Sequence, residues 1–109
     1  MPLPDLDPHE LEALALLMEE CAETAHAIGK ALRHGMDSTH PSGTESNRDA
    51  IVREAGQVIA AIEIAISLGI MTKHRVDDST RDKWSKVGKY LHHIDIGTST
   101  TIRHAWRKP

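Results

Sequence analysis

The stretch from Ile51 to Ile66 constrains this chain more than any other. At helical spacing it carries Ile51, Val52, Ala55, Val58, Ile59, Ile62, Ala65 and Ile66, while Ala61 and Ile64 fill much of the remaining circumference. A helix apolar nearly all round is buried on several sides. The chain has 109 residues, one domain by length, and so has few elements of its own with which to cover such a helix. The expected fold is therefore an all-α helical bundle completed by oligomerisation, with a homodimer as the minimum. Aromatic residues are only 3% of the chain and Phe is absent, so the core is expected to be aliphatic, from Leu, Ile, Val, Ala and Met.

The helix preceding this stretch is well marked. Asp7 is a good N-cap, Pro8 suits the first helical position, and Glu10 and Glu12 sit favourably in the opening turns. Leu11, Leu14, Leu17, Met18, Cys21, Ala22, Ala25 and Ile28 continue at helical spacing, and Arg33 and His34 precede a stop at Gly35. The helix is expected over residues 8–34. MDSTHPSGTES reads as a loop, Ser46 or Asn47 can cap the second helix, and Gly69 ends it. A third helix is expected to start near Asp77 or Asp78, with Trp84, Val87 and Leu91 on one face and Lys83, Lys86 and Tyr90 on another. Residues 1–93 are expected to form the helical domain. Residues 94–109, which lack a helical period, are expected to form an extended tail packing on the domain or a partner subunit.

Composition excludes several functions. A net charge of −3 leaves no basic excess to hold a nucleic-acid backbone. The longest apolar stretch, Val58 to Ile70, is interrupted by Glu63 and Ser67 and is too short for a bilayer. The opening MPLPDLDPHE has neither a positive n-region nor an apolar h-region, and the single cysteine, Cys21, fits a reducing compartment. A cytoplasmic protein is expected. The eight histidines lack His-x₃-His spacing and there is no Cys-x₂-Cys, which argues against zinc. Glu23-x-x-His26 has no second Glu-x-x-His to make a di-iron bundle.

The carboxylates are the remaining candidates for chemistry. Glu19, Glu20 and Glu23 fall within five positions, and three- and four-residue spacing brings Glu23 beside both others. Clustered glutamates on a helix ordinarily form a solvated face. Glu54 and Gln57, however, repeat the three-residue spacing on a helix that otherwise calls for burial, and a buried glutamate needs a partner. Oxygen donors without thiolates suit a hard cation, Mg²⁺ or Mn²⁺.

The runs LLMEECAETAHAIGKALRHG and REAGQVIAAIEI resemble the MazG-like nucleoside triphosphate pyrophosphohydrolases, whose signature is EExxE followed by ExxD. Here the first motif is Glu19-Glu20-Cys21-Ala22-Glu23 and the second Glu54-Ala55-Gly56-Gln57. ALRHG, the Asn before the second helix and KWSKVGKYLHH are similar to small phage-type members, and the likeness covers residues 10–93. The resemblance implies hydrolysis of a nucleoside triphosphate between its α- and β-phosphates, to the monophosphate and pyrophosphate. A purine deoxynucleotide such as dGTP is the first expected substrate, and a dimer or a tetramer of two dimers the expected assembly.

It also implies a metal held by Glu20, Glu23, Glu54 and Gln57, with Glu19 as the residue that orients or deprotonates water. Spacing leaves the division of these roles among the four glutamates open. Lys30, two turns past Glu23, is placed to reach phosphates. Arg33 is a weaker candidate, and Lys83 and Lys86 can close over the leaving pyrophosphate. Asn47, seven residues before Glu54, either reads a base or sugar or caps its helix. The departure is Gln57, where the family has Asp. Its uncharged amide leaves three readings: fewer metals, a ligand from elsewhere, or much-reduced activity. The alternative to an enzyme is a non-catalytic helical nucleotide-binding or assembly protein.

Overall fold

The computed structural model describes residues 5–94. It has three α-helices, α1 (Pro8–His34), α2 (Asn47–Ser67) and α3 (Lys73–Lys86), and a 3-10 turn, Val87–Lys89. No strand occurs among the described residues, and a lone bridge between Thr39 and Ser46 is the only extended pairing there. No helix among them is long and apolar enough to cross a membrane. The chain divides after Met71 into two compact units. The expected tail at residues 95–109 lies outside the described residues.

The first unit is a hairpin of α1 and α2. Asp7 caps α1 as expected: its side chain accepts from the Glu10 backbone N–H at 2.9 Å, and the Glu10 carboxylate accepts from the Asp7 N–H at 3.2 Å. Gly35 ends the helix at φ 98°, a conformation that L side chains rarely adopt, and its N–H donates to Ala31. Ser46, not Asn47, caps α2 by accepting from the Asp49 N–H. The helices run antiparallel, since Asn47 and Arg48 bond back to Ser38 and Met36 while Glu54 lies opposite Glu20 and Glu23.

Small residues line the seam between the two helices. Among the described residues the buried apolar ones are all alanines, Ala13, Ala27 and Ala31 on α1 and Ala61 and Ala65 on α2. The Leu, Ile, Val and Met side chains expected in the core there stand at least partly in solvent, and no large side chain among the described residues is fully buried. Two helices share a single interface, and alanine lets their backbones approach closely across it. The bulkier residues are either half-buried beside the seam, as Leu14, Leu17, Val58 and Ile62 are, or exposed, as Met18, Leu32 and Val52 are.

In the second unit, α3 starts at Lys73, one turn before the expected Asp77 or Asp78. Thr72 is its cap, accepting from the Arg75 N–H at 3.3 Å. It stops at Lys86 and tightens into the 3-10 turn, whose end is marked by the Tyr90 N–H donating to Val87. Because the helix ends at Lys86, Val87 falls in the 3-10 turn and Leu91 beyond it, so the single helical face expected to join them to Trp84 is not formed, although all three are half-buried and Lys83, Lys86 and Tyr90 are exposed.

Candidate functional site

Midway along the hairpin, the alanine seam is interrupted by acid. Glu20 and Glu23 project from α1 and Glu54 from α2, and one carboxylate oxygen from each lies within 4.8 Å of the other two. Glu54 is only 5% exposed. Oε2 of Glu54 and Oε2 of Glu20 are buried and accept no hydrogen bond. An orphaned carboxylate oxygen is costly to bury, more so than a neutral polar atom.

Glu23 registers the crowding. Its pKa is held above the ordinary value of 4.5, first by the charge of Glu54, then by burial and by the charge of Glu20. Glu54 has one cationic partner: Arg53 Nη1 donates to Glu54 Oε1 at 2.5 Å. The same guanidinium forks onto Glu45, with Nε to Oε2 at 2.9 Å and Nη2 to Oε1 at 3.0 Å. This bidentate contact depresses the Glu45 pKa, and the two carboxylates together raise that of Arg53. Arg53 is therefore shared between two acids, and the charge around Glu54 remains negative.

The cluster opens into a cleft of about 630 Å³. Glu19, Glu23, His26 and Lys30 line it from α1, Asn47, Arg53 and Glu54 from α2, and His40 with residues 42–45 from the connecting loop. That loop is a built wall. The Gly43 N–H donates to His40, and the backbone N–H and hydroxyl of Ser42 meet His40 Nδ1 at 3.1 and 2.8 Å. Asn47, nine-tenths buried, donates from Nδ2 to the Gly35 carbonyl at 2.8 Å. The amide thus ties the end of α1 to the start of α2 while the residue borders the cleft.

Of the residues expected at the site, Glu19, Glu20, Glu23, Glu54, Lys30 and Asn47 gather at the cluster or its cleft. Gln57 is exposed and is not among the lining residues, although it stands one turn beyond Glu54 on the same side of α2. Arg33 is likewise exposed and off the cleft wall. Lys83 and Lys86 are exposed on α3 in the second unit, where Lys86 pairs with Asp82 at 3.1 Å. Arg53, Glu45 and His40 are cleft residues that the sequence reading did not single out. Arg53 had one signal, its place beside Glu54; the two loop residues had none, because periodicity does not place a loop.

Chemically, the arrangement joins a negative centre of three carboxylates to a wall bearing Lys30, Arg53 and two histidines. A hard cation fits the first part and an anion the second. Comparison of the chain with protein-family models, with curated proteins and with solved structures found no match.

Proposed function

We propose that the protein is a metal-dependent nucleoside triphosphate pyrophosphohydrolase, acting on a purine deoxynucleotide such as dGTP and releasing the monophosphate and pyrophosphate. The observation that carries this reading is the pair of buried, unpartnered oxygens on Glu20 and Glu54 beside Glu23. Three converging carboxylates with two orphaned acceptors are a poor bargain for a folded chain unless a cation occupies the centre.

Glu20, Glu23 and Glu54 would hold Mg²⁺ or Mn²⁺, which would supply charge neutralisation for a triphosphate and Lewis-acid activation of water. Glu19, exposed on the cleft wall one turn from Glu23, is placed to orient the attacking water or accept its proton. Lys30 and Arg53 face the phosphates. Arg53 would have a double role: it pairs with Glu54 and Glu45 here, and were Glu54 engaged as a ligand, the Nη1 donor now on Glu54 would be available to an anionic substrate.

Incubating the protein with each deoxynucleoside triphosphate and Mg²⁺ or Mn²⁺ tests this reading by release of pyrophosphate. Release is expected, with dGTP the preferred substrate; none with any nucleotide would sink the reading. A second reading, a helical protein that binds nucleotide without cleaving it, is favoured by the neutral and exposed Gln57. The Gln57→Asp variant separates the two. An enzyme gains tighter metal binding and equal or few-fold higher turnover, whereas a binding protein gains affinity for metal and no turnover.

A further inference from the structure

Arg53 directly precedes Glu54 on α2, and neighbouring side chains on a helix leave it roughly 100° apart. An arginine so placed would ordinarily turn out into solvent, because ordering its long side chain costs entropy. Here it bends back onto Glu54, Nη1 to Oε1 at 2.5 Å, although its side chain is still 47% exposed. The group that holds it there is Glu45, from the loop between α1 and α2.

The guanidinium is divided between its two acids in a specific way. Nε and Nη2 lie along one edge, and Glu45 takes both, with Oε2 at 2.9 Å and Oε1 at 3.0 Å. Such a fork fixes the plane of the group as well as its distance. Nη1 points away from that edge and is the nitrogen given to the acid cluster. Both partners of the fork are nearly half-exposed, so the pair adds little to stability. Nor does the cleft wall need it. Ser42 bonds to His40 Nδ1, the Gly43 N–H to the His40 carbonyl and Asn47 to Gly35, none of them through Glu45. The consequence of the fork is positional.

We propose that Glu45 is a positioning residue for the anion end of the cleft, holding Arg53 so that Nη1 meets a substrate phosphate once Glu54 is engaged by a cation. The inference rests on the pyrophosphohydrolase reading and adds to it the residue that makes Arg53 available. Its sign is distinctive. Glu45 is itself an acid on the cleft wall, near enough to Lys30 to feel its charge. By charge alone it opposes an anion, and removing it would tighten anion binding. As the holder of Arg53 it does the reverse, since an unheld guanidinium has to be ordered when the anion arrives.

The test is calorimetric binding of inorganic pyrophosphate to the full chain in saturating Mg²⁺, for the parent, Glu45→Gln, Arg53→Gln and the double variant. Glu45→Gln should bind about tenfold more weakly. Arg53→Gln should lose at least as much, and the double variant no more than Arg53→Gln alone, because Glu45 acts only through Arg53. Mn²⁺ alone should bind Glu45→Gln as tightly as the parent, since Glu45 is outside the carboxylate cluster. The Ser42 and Gly43 amides should exchange with solvent at the parent rate, their partners lying within the loop. Faster exchange would make Glu45 a mere anchor of the loop and overturn the inference, as would a parallel loss of Mn²⁺ affinity. Equal or tighter pyrophosphate binding by Glu45→Gln, or a further loss in the double variant, overturns it while leaving the pyrophosphohydrolase reading intact. A parent that binds no pyrophosphate removes that reading and the inference with it.

Discussion

Two parts of the molecule carry clustered acids and treat them in opposite ways. On α3, each aspartate finds a basic side chain within one helical turn: Asp77 pairs with Lys73 at 2.9 Å, Asp78 with Arg81 while lying beside His74, and Asp82 with Lys86 at 3.1 Å. These are half-exposed or exposed pairs on the surface of one element, and the Lys73 ammonium holds the Asp77 carboxyl below its ordinary pKa. In the hairpin, Glu20, Glu23 and Glu54 come from two helices, meet within 4.8 Å and push the Glu23 pKa upward. Charge settled within a turn is a solvated face. Charge brought together across two helices, with two buried oxygens left without partners, is the feature on which the proposed cation site rests.

The largest test of that contrast is Glu23→Gln. Removing one carboxylate from the cluster should lower turnover by about 10³-fold or more, with the fold retained. Activity close to the parent would place the chemistry elsewhere. Cation binding comes next. Mg²⁺ or Mn²⁺ at 100 times its dissociation constant should stabilise the chain by about 2.7 kcal/mol, read as a rise in melting temperature that a chelator reverses. The same titration on Glu54→Gln should show little of it. An equal rise in both proteins would mean that the ion binds outside the cluster.

The pH dependence sharpens the comparison further. Because the Glu23 pKa is raised above 4.5 in the folded chain, the cost of its charge is absent below that value and grows as pH climbs through the raised one. Without divalent cation, Glu23→Gln should therefore melt higher than the parent at about pH 7, and the two should converge near pH 4. With cation present the order reverses. Melting curves at both pH values, with and without Mg²⁺, check the sign. Glu45 runs the other way: its lowered pKa means that the Arg53 contact contributes above the ordinary carboxylate range and is lost on acidification. On α3, Lys73→Ala should shift the melting temperature by about 2 °C or less and leave cation binding untouched, the smallest effect of the series.

The sequence reading went as far as local rules reach. Asp7, Pro8 and Gly35 bound α1 to the residue, because caps and stops act within one turn. The Glu20–Glu23 pairing follows from three-residue spacing, while the meeting with Glu54 depends on the register between helices, which no local pattern carries. Motif order supplied it instead. The observed start of α3 is one turn before the expected one because Asp77 and Asp78 also make good caps, and the Thr72 contact decides among the candidates. The Arg53–Glu45 fork was invisible for a different reason: Glu45 belongs to a loop, and its reach depends on how that loop folds back. The alanine seam ran against the expected aliphatic core, since periodicity tells which face is apolar and not how many neighbours that face has.

The clasp from Asn47 to the Gly35 carbonyl bears on how quickly the cleft can fill. Pinned at its root and tied within itself at His40, Ser42 and Gly43, the connecting loop offers its wall without needing a ligand to build it. Little freedom is then forfeited on entry, and capture should be governed by diffusion and charge rather than by waiting for a wall to assemble.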